Sequence, residues 1–167
     1  MTPSPAGFSA ADQLVGVWIR RANTDDVPAL AQIAEAAYAP YVVRVGQKLA
    51  PMVADFAAHV AVGAAYVAEA AGVAAGYIAT FEKNEGQFIE NVAVHPDHHG
   101  EGIGRSLLYF AEQEADDNGL TRLFLYTNVH MTENLDFYTR LGYVETHRVS
   151  EDGFDRVYFE KRIKDER

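Results

Sequence analysis

The 167-residue sequence contains no cysteine and few basic side chains. Without cysteine the chain has no disulfide bond, no thiolate metal ligand and no thiol nucleophile. Its 14 Lys and Arg residues are outnumbered by 24 Asp and Glu residues, so the field around the protein repels phosphate backbones and anionic membranes. We therefore expect neither a nucleic-acid partner nor a membrane partner.

Long apolar runs are also missing. No run approaches the ~20 apolar residues that a membrane-spanning helix needs. The opening segment MTPSPAGFSAADQ has no basic stretch followed by an apolar one, so it lacks the pattern of a signal peptide. The absence of cysteine is compatible with a reducing compartment. We expect a flexible tail over residues 1–14, a single domain over residues 15–164 and a cytoplasmic location.

Hydrophobic periodicity predicts the element order β-α-α-β-β-β-α-β-α-β-β. The first helix is predicted to be capped at Thr24 or Asp25. It is predicted to end at Ala39–Pro40, because the residue before a proline disfavours the helical conformation. A second helix is predicted to begin near Pro51, and the dipeptide Ala71–Gly72 predicts a two-residue hairpin turn.

The stretch VAVHPDHHGEGIGRSLL places Gly100, Gly102 and Gly104 between a predicted strand and a predicted helix. Such a loop presents backbone N–H groups and the positive end of the helix dipole, which together bind phosphate. Arg105 and Leu107 occupy the positions where a dinucleotide fingerprint would need its last glycine. The chain also lacks the Gly-Lys-Ser/Thr of a Walker loop. The loop is therefore interpreted as a phosphate site of another kind.

Three histidines, His95, His98 and His99, lie in the same loop. The spelling HPDHH lacks a helical pair four residues apart and a distant fourth ligand, both of which zinc sites commonly use. No metal site is expected here, and the three side chains are interpreted as surface histidines.

The loop spelling HHGEGIGRSLL resembles the acyl-CoA pyrophosphate loop of the GNAT family of N-acetyltransferases, usually Gln/Arg-x-x-Gly-x-Gly/Ala. The longer VAVHPDHHGEGIG is similar to the family's V.V.P..rG.GIG, NLDFYTRLGYVE is similar to Ai.lYeklGF.e, and WIRRANTDDVPAL resembles the opening strand and helix. These matches cover most of residues 17–161. The resemblance implies an α/β (α+β) domain with a mixed, mostly antiparallel central sheet of about seven strands and about four helices, the acyl-CoA N-acyltransferase fold.

The resemblance also implies an activity. It implies acetyl-CoA as co-substrate and direct transfer of the acetyl group, in a ternary complex, to the primary amine of a small molecule that is polyamine-like or amino-acid-like. Two alternatives stay open: a non-catalytic CoA-binding regulatory module, since a fold does not guarantee turnover, and a protein N-terminal or lysine acetyltransferase. A homodimer is compatible with the resemblance as well.

Acetyl-CoA is expected to lie along one strand and the loop that follows it. In the family the strand before the loop lines the cofactor with backbone groups, which assigns that role here to Val92, Ala93 and Val94. His99 stands where the family usually has Gln or Arg, and we expect CoA binding at high pH to be weaker than an arginine would give. Asn134 is a weaker candidate for a cofactor contact, since it falls where the family prefers Ala. The backbone amides expected to hold the diphosphate are those of Gly100, Gly102, Ile103, Gly104 and Arg105.

Two side chains are candidates for acid–base chemistry. Glu90 shares a face with Val92 and Val94 if the strand keeps its period of two. It matches the glutamate that polyamine-type relatives use as a water-relayed base, although a solvated strand-edge glutamate is the alternative. Tyr138 matches the family tyrosine that stands near the CoA sulfur and donates a proton to it, with a packing role as the alternative.

The acceptor pocket is expected between the segment AAYAPYVVRVGQKLAPM and the turn SEDGF, which wall it in this fold. Tyr38, Tyr41 and Arg44 give an aromatic lining with one cation, which suits a small amine that also carries a carboxylate. The acidic net charge favours a polyamine instead. Tyr126 occupies a position where some protein N-terminal acetyltransferases have a glutamate, which counts against that substrate class.

Overall fold

The computed structural model describes residues 16–163, so the predicted tail over residues 1–14 lies outside the described residues. Seven strands and four helices occur in this part of the chain, in the predicted order. The strands are β1 Val17–Arg21, β2 Ala65–Ala70, β3 Val73–Lys83, β4 Gly86–Val94, β5 Arg122–Asn128, β6 Val144–Glu151 and β7 Phe154–Arg162. The helices are α1 Val27–Val45, α2 Phe56–Ala61, α3 Ile103–Asp117 and α4 Thr132–Arg140.

The strands form one sheet in the order β1-β2-β3-β4-β5-β7-β6. Only the β4–β5 neighbours are parallel among the described strands, and the other pairs are antiparallel. The sheet is therefore mixed and mostly antiparallel, with the parallel pair at its centre, which confirms the fold class. No helix within residues 16–163 has the length and apolar character to cross a bilayer.

Each face of the sheet packs against a different pair of helices. The α3 cluster contains Ile78 of β3, Leu107 of α3 and Tyr138 of α4, all buried. The α1–α2 cluster on the opposite face contains Leu30 of α1 and Tyr77 of β3. Consecutive residues of β3 thus enter opposite clusters, as the period of two of a strand requires.

The first helix does not end at Ala39–Pro40, because α1 continues to Val45 with Pro40 inside it. It stops at Gly46, which has a left-handed φ of 88° and donates its N–H to Val42 O at 2.7 Å. An internal proline costs ~3 kcal/mol or more. The turn that follows offsets this cost by packing Tyr41 and Val45 against the α1–α2 cluster.

The second helix also differs from its prediction, since it begins at Phe56 and not near Pro51. Residues 50–53 form a separate 3-10 turn. Asp55 then caps α2, and its carboxylate accepts the N–H of Ala58 at 3.0 Å. An aspartate at this position favours a new helix start over continuation of the preceding turn. The predicted hairpin turn is confirmed, with φ of 53° at Ala71 and 79° at Gly72.

Close packing of α3 on β3 depends on Gly76. A Cβ there would lie 2.9 Å from Ala93 O and 3.2 Å from Ile103 Cγ2, so backbone would have to move. We predict that Gly76→Ala lowers the free energy of unfolding by about 1–3 kcal/mol, which is about 2–4 °C of Tm per kcal/mol for a domain of this size. Thermal unfolding followed by circular dichroism measures it.

The matched control is Gly104→Ala. A Cβ at Gly104 would meet the Phe137 ring at 3.5 Å, an ordinary contact, and alanine favours the helical conformation by about 0.5–1 kcal/mol over glycine. Its Tm should equal or exceed that of the wild type. Equal Tm changes for the two variants would contradict the close approach at Gly76.

Candidate active site

A β-bulge interrupts β4 at Glu90. On either side of it, Ile89 pairs with Thr80 and Asn91 pairs with Ala79. The two β3 residues are consecutive, so Glu90 is an extra residue on β4. An extra residue of this kind bends a strand and redirects side chains.

The bulge points two consecutive side chains toward α1 and α2. The Glu90 carboxylate contacts the Nε2 atom of His59 in α2. Asn91 Oδ1 lies 3.1 Å from the Tyr38 hydroxyl in α1, and Asn91 Nδ2 donates to the Tyr77 hydroxyl. A buried network of two tyrosines and one asparagine therefore holds the bulge.

The expected common face of Glu90, Val92 and Val94 is wrong for this reason. Val92 and Val94 pack against the α3 cluster, whereas Glu90 contacts α2 on the other face. The extra residue at the bulge resets the alternation, and the period of two holds only on each side of it.

Beyond the bulge, β4 and β5 separate. Their parallel pairing joins Gln87–Ile89 to Leu123–Leu125 and extends no further along the described strands. On the β3 side, His95 donates its N–H to Ala75 O. Alternation along β4 then directs the backbone groups of Ala93 to β3 and those of Val92 and Val94 into the gap.

The two carbonyls in this gap have side-chain partners. The Tyr38 hydroxyl lies 3.0 Å from Val92 O, and His99 Nε2 lies 3.1 Å from Val94 O. Because a carbonyl only accepts, the His99 ring must donate its Nε2–H. In the neutral ring its Nδ1 atom is then an acceptor that can meet water, and it can donate to an anion only when the ring is protonated.

The loop after β4 ends at the amino terminus of α3. Gly100 and Gly102 both have φ of 82°, and Gly102 caps the helix. The first intrahelical bond runs from Ser106 N to Gly102 O at 3.0 Å, so the amides of Ile103 and Gly104 have no intrahelical acceptor. The fully buried Ile103 side chain anchors this turn. These amides and the helix dipole can bind an anion at the end of the β4–β5 gap.

The other loop histidines bond locally. His95 Nδ1 accepts the N–H of Asp97 at 3.1 Å, and the His98 ring lies 3.2 Å from the Glu101 carboxylate. Among residues 16–163, no group of three or more ligand-type side chains is placed to hold a metal ion.

A cavity of about 440 Å³ lies between the bulge, β5, α4 and the β6–β7 turn. The predicted site residues in its lining are Tyr38, Glu90, Val92, Tyr126, Asn134 and Tyr138. The two other residues predicted for the acceptor pocket, Tyr41 and Arg44, do not line this cavity. Arg44 instead forms a two-pronged ion pair with Glu133, at 2.7 and 2.9 Å, and stacks on the Tyr41 ring.

Tyr138 is held in the cavity wall by other aromatic rings. Its side chain is buried and packs against Tyr143 and Phe159. Burial raises the pKa of the Tyr138 phenol, so the hydroxyl keeps its proton at any working pH. A phenol that stays protonated in the wall of a cavity can donate a hydrogen bond to negative charge that develops beside it.

Asn134 sits on α4 and its amide points toward β5, 3.4 Å from Thr127 Oγ1. The Arg156 guanidinium lies over the Tyr126 ring, with its Cζ atom 4.2 Å from the ring centroid. Arg156 in turn bonds to the carboxylates of Glu151 and Asp152 at the β6–β7 turn. These contacts fix the cavity wall opposite the bulge.

Several polar lining residues were not identified from the sequence: Asp55, His59, Asn91, Thr127, Asn128 and Arg156. For Asn91 a signal existed, because two consecutive polar residues in FIENVAV break a strand's alternation and are typical of a bulge. His59 and Arg156 carry no such signal, since only tertiary packing brings them to β4 and β5.

Comparison with known proteins identifies this architecture. The family model described as the acetyltransferase (GNAT) family matches residues 30–143. No curated protein matches the chain.

Solved structures are similar in fold. The PaiA N-acetyltransferase of Thermoplasma acidophilum, in complex with coenzyme A, has a TM-score of 0.73 at 17% identity, over 87% of this chain and 98% of that one. The ribosomal-protein-S18-alanine N-acetyltransferase of Escherichia coli gives 0.70 at 22% identity, over 89% and 94%. A GNAT-family acetyltransferase of Streptococcus agalactiae gives 0.75 at 17% identity, over 91% and 98%.

The Glu101 carboxylate places a negative charge in the loop between β4 and α3, where the CoA diphosphate is expected to bind. Its side chain is half exposed. We predict that Glu101→Gln tightens CoA binding by about two- to fivefold (~0.5–1 kcal/mol) at low salt, measured by titration calorimetry. The gain should shrink as salt is added, because exposed charges are screened.

Glu82→Gln removes the same charge at the far end of the sheet, where Glu82 pairs with Gln87. That position is seven residues from Val94, or about 23 Å along β4 at ~3.3 Å per residue, so the control should not change the affinity. A tighter complex in both variants would mean that net charge, and not the loop, is responsible.

Proposed function

Because the chain belongs to the GNAT family of acetyltransferases and is an acyltransferase that uses acetyl-CoA, we propose that its acceptor is the primary amine of a small cationic molecule. A polyamine-like amine is favoured over an amino-acid-like one. Acetyl transfer is direct, in a ternary complex, with Glu90 as base and Tyr138 as acid.

The observation that carries this proposal is the charge of the cavity wall. Three carboxylates line it, those of Asp55, Glu90 and Asp152. Arg156 is already paired with Asp152 and Glu151. The remaining charge attracts an ammonium group and repels a carboxylate.

Arg44 had supported an acceptor with a carboxylate. Its guanidinium is bound to Glu133 in a two-pronged ion pair outside the cavity. The hydrogen bond from Arg44 lowers the pKa of the Glu133 carboxyl to about 2. The pair therefore stays ionised at any working pH. This arrangement removes the cation on which an amino-acid-like acceptor depended.

The chemistry follows from the positions of the two side chains. Glu90 accepts a proton from the acceptor ammonium through water, and the freed amine attacks the thioester carbonyl. A C–N bond forms, the C–S bond breaks, and the leaving sulfur takes a proton from the Tyr138 hydroxyl. The second proton that the nitrogen loses on becoming an amide returns to Tyr138 through water. The side of β4 to which the bulge turns Glu90 thus binds the acceptor, while the β4–β5 gap binds the cofactor. The cytoplasmic location and the homodimer stay predictions.

Release of free thiol from acetyl-CoA tests the proposal directly. Since the chain has no cysteine, any thiol detected comes from CoA. Candidate acceptors are spermidine, putrescine, free amino acids, an aminoglycoside and a peptide with an amino-terminal alanine. We expect the highest kcat/KM with an acceptor that carries several amines and no carboxylate. Preference for an amino acid or the peptide would contradict the proposed acceptor, and CoA binding without turnover across the panel would favour a regulatory module.

Tyr138→Phe keeps the ring and its packing and removes only the hydroxyl. With the best acceptor of the panel, we predict a fall in kcat of about 10²- to 10⁴-fold, as for a positioned acid, with KM for acetyl-CoA little changed.

Tyr143→Phe is the matched control, because the Tyr143 hydroxyl is buried without a hydrogen-bond partner in the described structure and lies outside the cavity lining. That variant should keep its kcat. If Tyr138→Phe also keeps near-wild-type kcat, the tyrosine is structural and the thiolate takes its proton from water.

A further inference from the structure

We propose that His59 is a positioning residue for the acetyl transfer, because its Nε2–H holds one oxygen of the Glu90 carboxylate and leaves the other to receive the acceptor's proton. This inference rests on the proposed role of Glu90 as base. It assigns a function to a histidine that lies 31 positions from Glu90 in the sequence and meets it only through the fold.

The contact itself is short and sheltered. His59 Nε2 and Glu90 Oε2 are in direct contact, and the two side chains are 15% and 34% exposed. Both line the cavity. The exposure of Glu90 is what a base needs, since one carboxylate oxygen can be held by His59 while the other still meets water or an amine.

The His59 ring is itself fixed from the other side. α2 is capped by Asp55, and the Phe56 ring meets the His59 ring edge-on at 6.4 Å between centroids. Phe56 in turn packs edge-on against Tyr77 of β3 at 5.5 Å. The imidazole is thus anchored to the same strand pair that carries the bulge.

Hydrogen bonding decides which form of His59 fits this site. Its Nδ1 atom is buried and has no hydrogen-bond partner within the described residues. A cationic ring would bury an N–H donor there without an acceptor, which is costly, whereas a neutral ring buries only a lone pair. The site therefore favours the neutral tautomer with its proton on Nε2, donated to Glu90. In that form the His59 ring adds no positive charge beside the Glu90 carboxylate.

Other charged groups line the same cavity. They are Asp152 of the β6–β7 turn, Arg156 of β7 and Asp55, the N-cap residue of α2. Burial raises the pKa of Tyr126, and the Glu90 charge adds to that rise against the opposing charge of Arg156. Tyr126 stays a neutral phenol. His59 is in direct contact with the Glu90 carboxylate and can therefore set its orientation.

The bulge and His59 act together. If β4 kept a regular alternation with no bulge, Glu90 would lie on the α3 face with Val92 and Val94 and could not reach α2. Loss of the His59 donor leaves the carboxylate free to rotate toward solvent, and a misplacement of about 1 Å in such a group can cost about 10²-fold in rate.

The test compares His59→Leu with His59→Gln, since glutamine restores an N–H donor and leucine does not. With the best acceptor of the panel, we expect His59→Leu to lower kcat about 10²-fold, with KM for acetyl-CoA unchanged and His59→Gln retaining most of the activity. In the Glu90→Gln background His59→Leu should cost almost nothing more, because the two residues act as a unit. His130→Leu, at an exposed histidine outside the cavity lining, should behave as wild type.

Independent losses in the double-variant cycle, or full activity of His59→Leu, would overturn the proposal. Nitrogen NMR of histidine-labelled protein gives a readout without any acceptor. We expect the His59 signals of a neutral ring protonated at Nε2 at pH 7, altered in Glu90→Gln. A ring protonated at Nδ1 or at both nitrogens would overturn the pairing. The expected NMR result together with an amine panel that gives no turnover would instead refute the proposed acceptor while leaving the pairing in place.

Discussion

The β-bulge at Glu90 is the constraint on which the rest of the site depends. One extra residue between the pairs Ile89–Thr80 and Asn91–Ala79 turns two consecutive side chains to the same face. The same strand stops pairing with β5 after Ile89, and this opens a gap beyond the bulge. The carboxylate proposed as the base, on one face, and the gap proposed for the cofactor, at the strand edge, therefore arise from a single irregularity. The buried hydrogen bonds of Asn91 to Tyr38 and Tyr77 hold it in place.

In the proposed complex, the charges of the site separate two ligands of opposite charge. The chain carries a formal net charge of −10, yet a family that uses acetyl-CoA must bind an anionic diphosphate. Backbone amides and the dipole at the start of α3 can do so without cationic side chains. The acceptor side carries the carboxylates of Asp55, Glu90 and Asp152, which suits an ammonium. The overall acidity of the protein is thus compatible with its anionic co-substrate and favourable to a cationic acceptor.

Much of the fold follows from local signals. The alternation of apolar residues and the Ala71–Gly72 turn predict the order of the elements, and the structure confirms it. The two helix boundaries were predicted wrongly because core packing or an N-cap outweighed a local rule. Pro40 lies inside α1 because Tyr41 and Val45 gain core contacts, and α2 starts late because Asp55 caps it. At the site, the motif residues Glu90 and Tyr138 can be found in sequence, but His59 and Arg156 cannot, because only the fold brings them to the cavity.

The central claim is that the bulge presents Glu90 to the acceptor as a base. It is tested most directly by the pH dependence of kcat/KM in Glu90→Gln, with the acceptor that the enzyme uses best. A primary ammonium has a reference pKa of about 10, so the account predicts the largest loss of activity well below that pH and recovery as the amine deprotonates unaided. A loss of the same size at every pH would contradict it. Removing a carboxylate that only supports packing lowers activity by an amount that does not depend on the protonation of the acceptor.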